Sequence, residues 1–210
     1  MAAFADLFDV ISGSDNKYHS VFEHIFKTVP QPLENLVPQN GFQQRALDYV
    51  KSGKYDFAGA SDPDADRFGC ATQKGGLISP NHALCVMADY LIRHFRIRDA
   101  HSLGRTLGTT SLLDRIADEH GMRLDEVNVR FKYFVEGIVR RKCVLAGEES
   151  AGMSVSGWTP EKDGILAVCL LMEIMAAEGD IADLYAKITE KHGTPYYVRV
   201  DVPTDDETKA

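Results

Sequence analysis

The sequence predicts an α/β protein built from two α/β domains, each with a mainly parallel mixed sheet flanked by helices. Segments with the helical period of apolar residues alternate with short apolar runs that are typical of buried strands. Hydrophobic residues make up 44% of the chain and charged residues 26%, which is the ordinary composition of a globular protein. The length of 210 residues allows one or two domains. We place the domains at residues 1–99 and 100–203, and a polar tail over residues 204–210 follows them.

The predicted elements follow from apolar periodicity and from residues that begin or end helices. Helical periodicity predicts helices over residues 17–28, 42–51, 111–119 and 181–192. Proline at the first helical position predicts a helix that begins at Ser79-Pro80. Thr159-Pro160-Glu161 is expected to open the most apolar helix, with Thr159 as its N-cap. Short apolar or alternating runs predict strands over residues 55–61, 126–130, 142–146 and 196–202.

Charge and composition exclude several classes of partner. The chain has 31 acidic and 23 basic residues, a net charge of −8, which repels nucleic acid and anionic membranes. The N-terminal residues MAAFADLFDV contain no basic segment, and the apolar run Ile165–Met172 is too short to span a membrane. The four cysteines show no CxxC spacing, which favours a reducing compartment. We therefore expect a cytoplasmic protein that binds neither nucleic acid nor membrane.

Three alternate carboxylates form the strongest chemical signal in the chain. Asp62, Asp64 and Asp66 directly follow a predicted strand. Alternate side chains of an extended segment lie about 7 Å apart on one face, where each carboxylate pair repels by about 2 kcal/mol. A hard divalent cation such as Mg²⁺ relieves this repulsion, because it prefers carboxylate oxygens. The alternative is a solvated acidic turn, since Asp and Pro favour turns in any case.

Two further groups are candidates for ligand binding. Arg67 follows the acidic loop, and its guanidinium fork fits a phosphate oxygen beside a divalent ion, although it could equally serve to neutralise the loop. Glu148 and Ser150 stand at alternate positions of a loop rich in small residues. A carboxylate and a hydroxyl together suit adjacent sugar hydroxyls, because one accepts and the other also donates hydrogen bonds. The alternative is a polar turn between a strand and a helix.

Six segments resemble, in the same order, the α-D-phosphohexomutases, and most closely the bacterial-type phosphoglucomutase branch of that family. The segments are SGKYDFAGASDPDADRFG, ISPNHALCVMADYL, RTLGTTSLLDRIADEHG, FKYFVEG, GEESAG and TPEKDGILAVCLL. The resemblance implies Mg²⁺-dependent phosphoryl transfer between the 1- and 6-positions of a hexose phosphate, with a hexose 1,6-bisphosphate as activator. It covers residues 50–175 strongly and the flanks more loosely.

The resemblance also implies a role for each matching residue. Asp62, Asp64 and Asp66 match the loop that holds Mg²⁺ in the second domain of the family. Arg67 matches the arginine beside the active-site phosphate. Glu148 and Ser150 match the sugar-recognition loop of the third domain. Lys162 matches a lysine near the substrate, which is a candidate for proton transfer or phosphate contact.

Departures from the family pattern limit what this chain is expected to do. The family's phosphoserine loop, T-A-S-H-N-P, and its distal phosphate loop, R-P-S-G-T-E, do not occur in these 210 residues. Arg130 also stands where relatives have Gly. We therefore expect the middle of a mutase, without its flanking domains, that is inactive by itself. The alternatives are a non-catalytic truncated paralogue that binds metal or sugar phosphate, and an Mg²⁺-dependent phosphatase that uses Asp62 as its nucleophile.

Overall fold

A computed structural model describes residues 39–94 and 100–197. The described helices are α1 (Gln39–Lys51), α2 (Pro80–His94), α3 (Leu112–Glu119), α4 (Val135–Val139), α5 (Gly164–Glu178) and α6 (Ile181–His192). The strands are β1 (Phe57–Ser61), β2 (Phe68–Thr72), β3 (Gly76–Ile78), β4 (Ser102–Thr106), β5 (Arg123–Val127), β6 (Cys143–Gly147) and β7 (Met153–Val155). A short 3₁₀ turn, Phe131–Tyr133, precedes α4. In this part of the chain, no helix combines the length and apolar character needed to cross a bilayer.

The strands form two separate sheets, which confirms the mixed α/β class. In the first sheet, β1, β2 and β3 pair antiparallel in chain order. In the second, the order is β5-β4-β6-β7, with β4 parallel to both of its neighbours and β7 antiparallel to β6. The first sheet is entirely antiparallel because only the short segments 62–67 and 73–75 connect its strands. A parallel crossover needs a dozen or more residues.

Most of the hydrophobic core lies around α2. Leu84 and Met87 of this helix are fully buried and share one cluster with Leu171 and Ile174 of α5. Phe68 of β2 belongs to the same cluster, so the core draws residues from both sides of position 99. The division into two domains at that position stays a prediction. The packing holds the β1–β2 hairpin against α5, which is the arrangement that positions the candidate site.

The most apolar helix begins later than the sequence predicts. Thr159 is not its N-cap, because α5 begins at Gly164 and its N-cap is Asp163, whose Oδ1 accepts a hydrogen bond from the Leu166 N–H at 2.8 Å. The Asp163 N–H donates to the Met153 carbonyl at 2.9 Å, which ties the preceding segment to β7. Residues 159–163 therefore do not form the expected first helical turn, and the Asp163 N–H bonds to strand β7 instead.

The other differences concern short elements. The strand expected at 126–130 lies at Arg123–Val127. The sequence predicts neither the strands β2, β3, β4 and β7 nor the short helix α4. Tyr196 and Tyr197 do not form the expected last strand, and the rest of residues 196–202 lies outside the described residues. The helix predicted over 17–28 and the tail 204–210 lie outside them as well.

Candidate functional site

The acidic loop is the connection between β1 and β2. Its ends are joined by two hydrogen bonds: the Asp62 N–H donates to the Arg67 carbonyl at 3.3 Å, and the Arg67 N–H donates to Asp62 Oδ1 at 3.0 Å. Ala65 adopts a left-handed conformation with φ of 59° and donates its N–H to the Asp62 carbonyl at 2.9 Å. This curvature brings one oxygen each of Asp62, Asp64 and Asp66 within 4.8 Å of one another. The spacing is closer than about 7 Å, the value for an extended strand.

Two cationic side chains contact this carboxylate cluster. Arg67 Nε lies 2.6 Å from Asp62 Oδ2 and 3.5 Å from Asp66 Oδ1. Lys162 Nζ lies 2.5 Å from Asp66 Oδ2. Burial raises the pKa of Asp62, but hydrogen bonds from the backbone and side chain of Arg67 outweigh it and hold that pKa below its usual value. In this arrangement Arg67 neutralises the acidic loop.

The donor set fits a hard divalent cation. Three carboxylates face two cations, so the cluster keeps excess negative charge. Asp66 Oδ1 is buried and accepts no hydrogen bond from the residues that the structure describes. Its contact with Arg67 Nε is a long ion pair of 3.5 Å, and a buried carboxylate oxygen without a hydrogen bond is costly unless a cation satisfies it. All three candidate ligands are carboxylate oxygens, which suit Mg²⁺. Asp64 is exposed, so water or phosphate could complete the coordination of the ion from that side.

The second candidate loop follows β6 and places its two predicted residues in different environments. Glu148 is buried, with 6% of its surface exposed, whereas Ser150 is exposed. The loop closes on itself, because the Ala151 N–H donates to the Glu148 carbonyl at 3.0 Å and the Glu148 N–H donates to the Gly152 carbonyl at 2.9 Å. Burial raises the pKa of the Glu148 carboxyl, and the charge of Lys162 acts in the opposite direction.

The tertiary structure brings the two loops together. Arg67 and Gly152 pair as an isolated antiparallel bridge, and the Phe68 N–H donates to the Ala151 carbonyl at 3.1 Å. A Cβ added to Gly152 would lie 2.3 Å from Lys162 Cδ and 3.5 Å from Glu148 Oε2. The aliphatic part of Lys162 therefore packs on the glycine, and its ammonium group crosses from the Glu148 loop to the acidic loop.

The sequence-predicted residues thus occupy one site. Six of them lie close together, namely Asp62, Asp64, Asp66, Arg67, Glu148 and Lys162. Ser150 is exposed and lies two residues after Glu148 in the loop that follows β6.

Two residues of the site were missed by sequence reasoning. Gly164 donates its N–H to the Ala65 carbonyl at 2.8 Å, which fastens the start of α5 to the acidic loop. Thr109, in the loop after β4, accepts the Glu149 N–H at 3.0 Å. The Asp163-Gly164 pair before an apolar run is a recognisable helix start. No sequence signal links Thr109 to a loop 40 residues away.

Comparison with known proteins places this chain among the phosphohexomutases. The family described as phosphoglucomutase/phosphomannomutase, alpha/beta/alpha domain III, matches residues 79–192, which is more than half of the chain. The chain belongs to the phosphoglucomutase/phosphomannomutase family. This confirms the resemblance identified from the sequence segments.

Individual relatives agree with the family match. Phosphoglucomutase of Komagataeibacter xylinus is 42% identical over 164 residues, which are 75% of this chain and 30% of that protein. Phosphoglucomutase-like protein 5 of Mus musculus is 32% identical over 178 residues, which are 81% of this chain and 31% of that protein. A solved structure from Thermus thermophilus, described as a phosphomannomutase, superposes with a TM-score of 0.65 at 31% identity. That superposition covers 75% of this chain and 35% of the other. The chain therefore spans less than a third of the length of these two curated relatives and corresponds to a middle portion.

Proposed function

We propose that this chain carries the metal-binding and sugar-binding parts of a phosphoglucomutase-type enzyme. That enzyme transfers a phosphoryl group between the 1- and 6-positions of a hexose phosphate in the cytoplasm, with Mg²⁺ and a hexose 1,6-bisphosphate as activator. The observation that carries the proposal is the convergence of two loops through Lys162. Its ammonium group lies 2.5 Å from Asp66, while its aliphatic part packs on Gly152 of the Glu148 loop. A divalent cation and a sugar held at these loops would be immediate neighbours.

Each residue then has a distinct role. Asp62, Asp64 and Asp66 hold Mg²⁺, which when bound neutralises charge on the phosphoryl oxygens. With a divalent cation at the three carboxylates, Arg67 and Lys162 would no longer be needed to neutralise them, and could contact phosphate oxygens or transfer a proton.

Sugar recognition falls to the second loop. Glu148 accepts hydrogen bonds from sugar hydroxyls in a desolvated position, and the exposed hydroxyl of Ser150 can donate and accept. Burial strengthens the hydrogen bonds to Glu148, because the local dielectric around its carboxylate is low.

The family match and the adjoining Glu148 loop favour a mutase part over a phosphatase that uses Asp62 as nucleophile. Asp62 Oδ1 accepts the Arg67 N–H at 3.0 Å, and Asp62 Oδ2 accepts from Arg67 Nε at 2.6 Å. These bonds orient Asp62, and each oxygen keeps a lone pair for a metal or a phosphorus atom. Hydrolysis of simple phosphate esters that is lost in Asp62→Asn would support the phosphatase instead.

We further propose that these 210 residues alone do not interconvert hexose phosphates. The reaction needs a phosphoryl carrier and a clamp for the second phosphate in addition to a metal and a sugar site. The flanking coding sequence distinguishes the mutase from the non-catalytic paralogue. An upstream phosphoserine loop and a downstream phosphate loop support the mutase, and a chain that lacks both supports the paralogue.

The metal site is tested by titrating the chain with Mn²⁺ and following free Mn²⁺ by electron paramagnetic resonance. We expect one site, weakened about tenfold or more in Asp64→Asn. Asp64 is exposed, so the substitution leaves folding intact. Asp56→Asn is the control, because it removes the same charge from an exposed position outside the loop. Equal affinities of wild type and Asp64→Asn contradict the metal assignment.

The sugar site is tested with glucose 1-phosphate in the presence of Mg²⁺. Glu148→Gln should weaken binding without lowering the melting temperature, since it removes a buried charge. Glu190→Gln, on the exposed side of α6, is the matched control. A variant that binds as well as wild type would remove Glu148 from the sugar site.

A further inference from the structure

The loop that follows β6 is held from two sides. Within the loop, the backbone groups of Glu148, Ala151 and Gly152 bond to one another, which shapes the turn but does not orient it relative to the sheet. On the side of the acidic loop, the Phe68 N–H donates to the Ala151 carbonyl. From the loop after β4, Thr109 Oγ1 accepts a hydrogen bond from the Glu149 N–H at 3.0 Å.

Thr109 is itself fixed within a buried polar turn. Its N–H donates to the Thr106 carbonyl at 2.9 Å, and the hydroxyl groups of the two threonines lie 2.9 Å apart. Thr106 is 1% exposed and Thr109 is 4% exposed. A hydroxyl has one proton and two lone pairs, so the Thr109 hydroxyl can serve Thr106 and the Glu149 N–H at once. The Thr109 hydroxyl therefore makes two hydrogen bonds inside the protein, whichever of the two threonines donates.

The surroundings leave the Glu149 backbone little freedom around this bond. Glu149 Cγ lies 3.3 Å from the position of a Cβ added to Gly108, so the Glu149 side chain packs closely on the turn that contains Thr109. A Cβ added to Gly147, at the end of β6, would lie 2.4 Å from Leu84 Cδ2, so the strand below the loop rests directly on α2. The orientation of Glu148 is therefore set between a packed strand and the Thr109 hydroxyl.

We propose that Thr109 is a positioning residue for the Glu148 loop: its hydroxyl holds the Glu149 N–H and so aims the buried Glu148 carboxylate at the sugar. This inference rests on the proposed function of Glu148. Thr109 does not touch the substrate, and acts through the backbone of the residue next to Glu148. Its loss removes the hydrogen bond that the part-buried Glu149 N–H makes to the loop after β4, and lets the turn move relative to Lys162 and the acidic loop.

The adjacent residue provides a matched control. Thr110 is 7% exposed, and its hydroxyl accepts the Leu112 N–H at 3.2 Å at the start of α3. Thr109→Val and Thr110→Val make the same isosteric change at neighbouring buried positions, but only the first removes a bond to the Glu148 loop. Thr109→Ser keeps the hydroxyl and should restore wild-type behaviour.

The test compares three measurements on the full chain: amide hydrogen exchange of residues 148–152, affinity for glucose 1-phosphate with Mg²⁺, and melting temperature. Thr109→Val should speed exchange of the Glu149 amide and weaken binding about tenfold, which corresponds to about 1.4 kcal/mol. Thr109→Ser should stay within about twofold of wild type, and Thr110→Val should lower the melting temperature without weakening binding. Thr109→Ala serves the same comparison if the valine variant does not fold.

Two results would overturn the proposal. One is wild-type exchange of the Glu149 amide in Thr109→Val. The other is an equal loss of affinity in Thr109→Val and Thr110→Val, which indicates general destabilisation. If wild type binds no glucose 1-phosphate but the Glu149 amide exchanges faster only in Thr109→Val, the positioning by Thr109 is supported and the proposed sugar site is refuted.

Discussion

Replacing Gly164 with Ala should disrupt the contact between α5 and the acidic loop. A Cβ at this position would lie 2.3 Å from the Arg67 carbonyl oxygen, 2.7 Å from the Arg67 carbonyl carbon and 3.1 Å from the Ala65 carbonyl oxygen. All three are backbone atoms, which cannot rotate away as a flexible side chain can. The Gly164 N–H also donates to the Ala65 carbonyl at 2.8 Å, so the helix and the loop must separate and this bond must lengthen.

The magnitude follows from these contacts. Overpacking costs about 1–3 kcal/mol, and loss of one backbone hydrogen bond costs about 1 kcal/mol. The better helix propensity of Ala returns at most about 1 kcal/mol. The net loss in the free energy of unfolding is then about 2 kcal/mol, or roughly 4–8 °C in melting temperature for a chain of this size.

Two assays separate this effect from simple destabilisation. Urea denaturation measures the free energy of unfolding. Mn²⁺ titration measures the affinity of the carboxylate site, which depends on the positions of the three carboxylates. Displacing residues 65–67 moves Asp66 relative to Asp62, so we expect Mn²⁺ to bind about tenfold more weakly. Ile165→Ala is the control, because Ile165 is 59% exposed and lies in the same helical turn. A Gly164→Ala protein within about 0.5 kcal/mol of wild type and with unchanged Mn²⁺ affinity would refute the reasoning.

Two further predictions concern pH. Burial raises the pKa of Glu148, so the stability that this carboxyl contributes is present below its pKa in the unfolded chain and is lost as the pH rises through its pKa in the folded chain. Thermal melts from about pH 4 to about pH 8 should therefore show wild type losing stability relative to Glu148→Gln. Parallel curves of melting temperature against pH would contradict this. Hydrogen bonds from Arg93 lower the pKa of Glu178 from 4.5 to about 2, against the effect of burial and with help from His94. Glu178→Gln should accordingly be less stable than wild type above about pH 5, and this difference should disappear as the pH falls to about 2; a deficit that persists in acid would show that Glu178 acts through packing instead.

Local sequence determined the acidic loop, the family and most of the helices. The order of Asp and Pro after an apolar run predicts a turn with three carboxylates on one side, and the structure places their oxygens within 4.8 Å. The starts of α2 at Pro80 and of α6 at Ile181 follow from short-range capping and periodicity. These features were predictable because the interactions that decide them lie within a few residues of one another.

Tertiary contacts decided where the site residues lie relative to one another. Asp163 bonds to Met153 of β7 and so moved the start of α5 away from Thr159. Lys162 meets Asp66, and Thr109 meets Glu149, across long stretches of sequence that carry no local signal of either contact. The burial of Glu148 beside an exposed Ser150 likewise depends on the packing of β6 against α2. Sequence pattern reports which side chains are available for chemistry, whereas burial and distance depend on packing between remote segments, which only the folded chain determines.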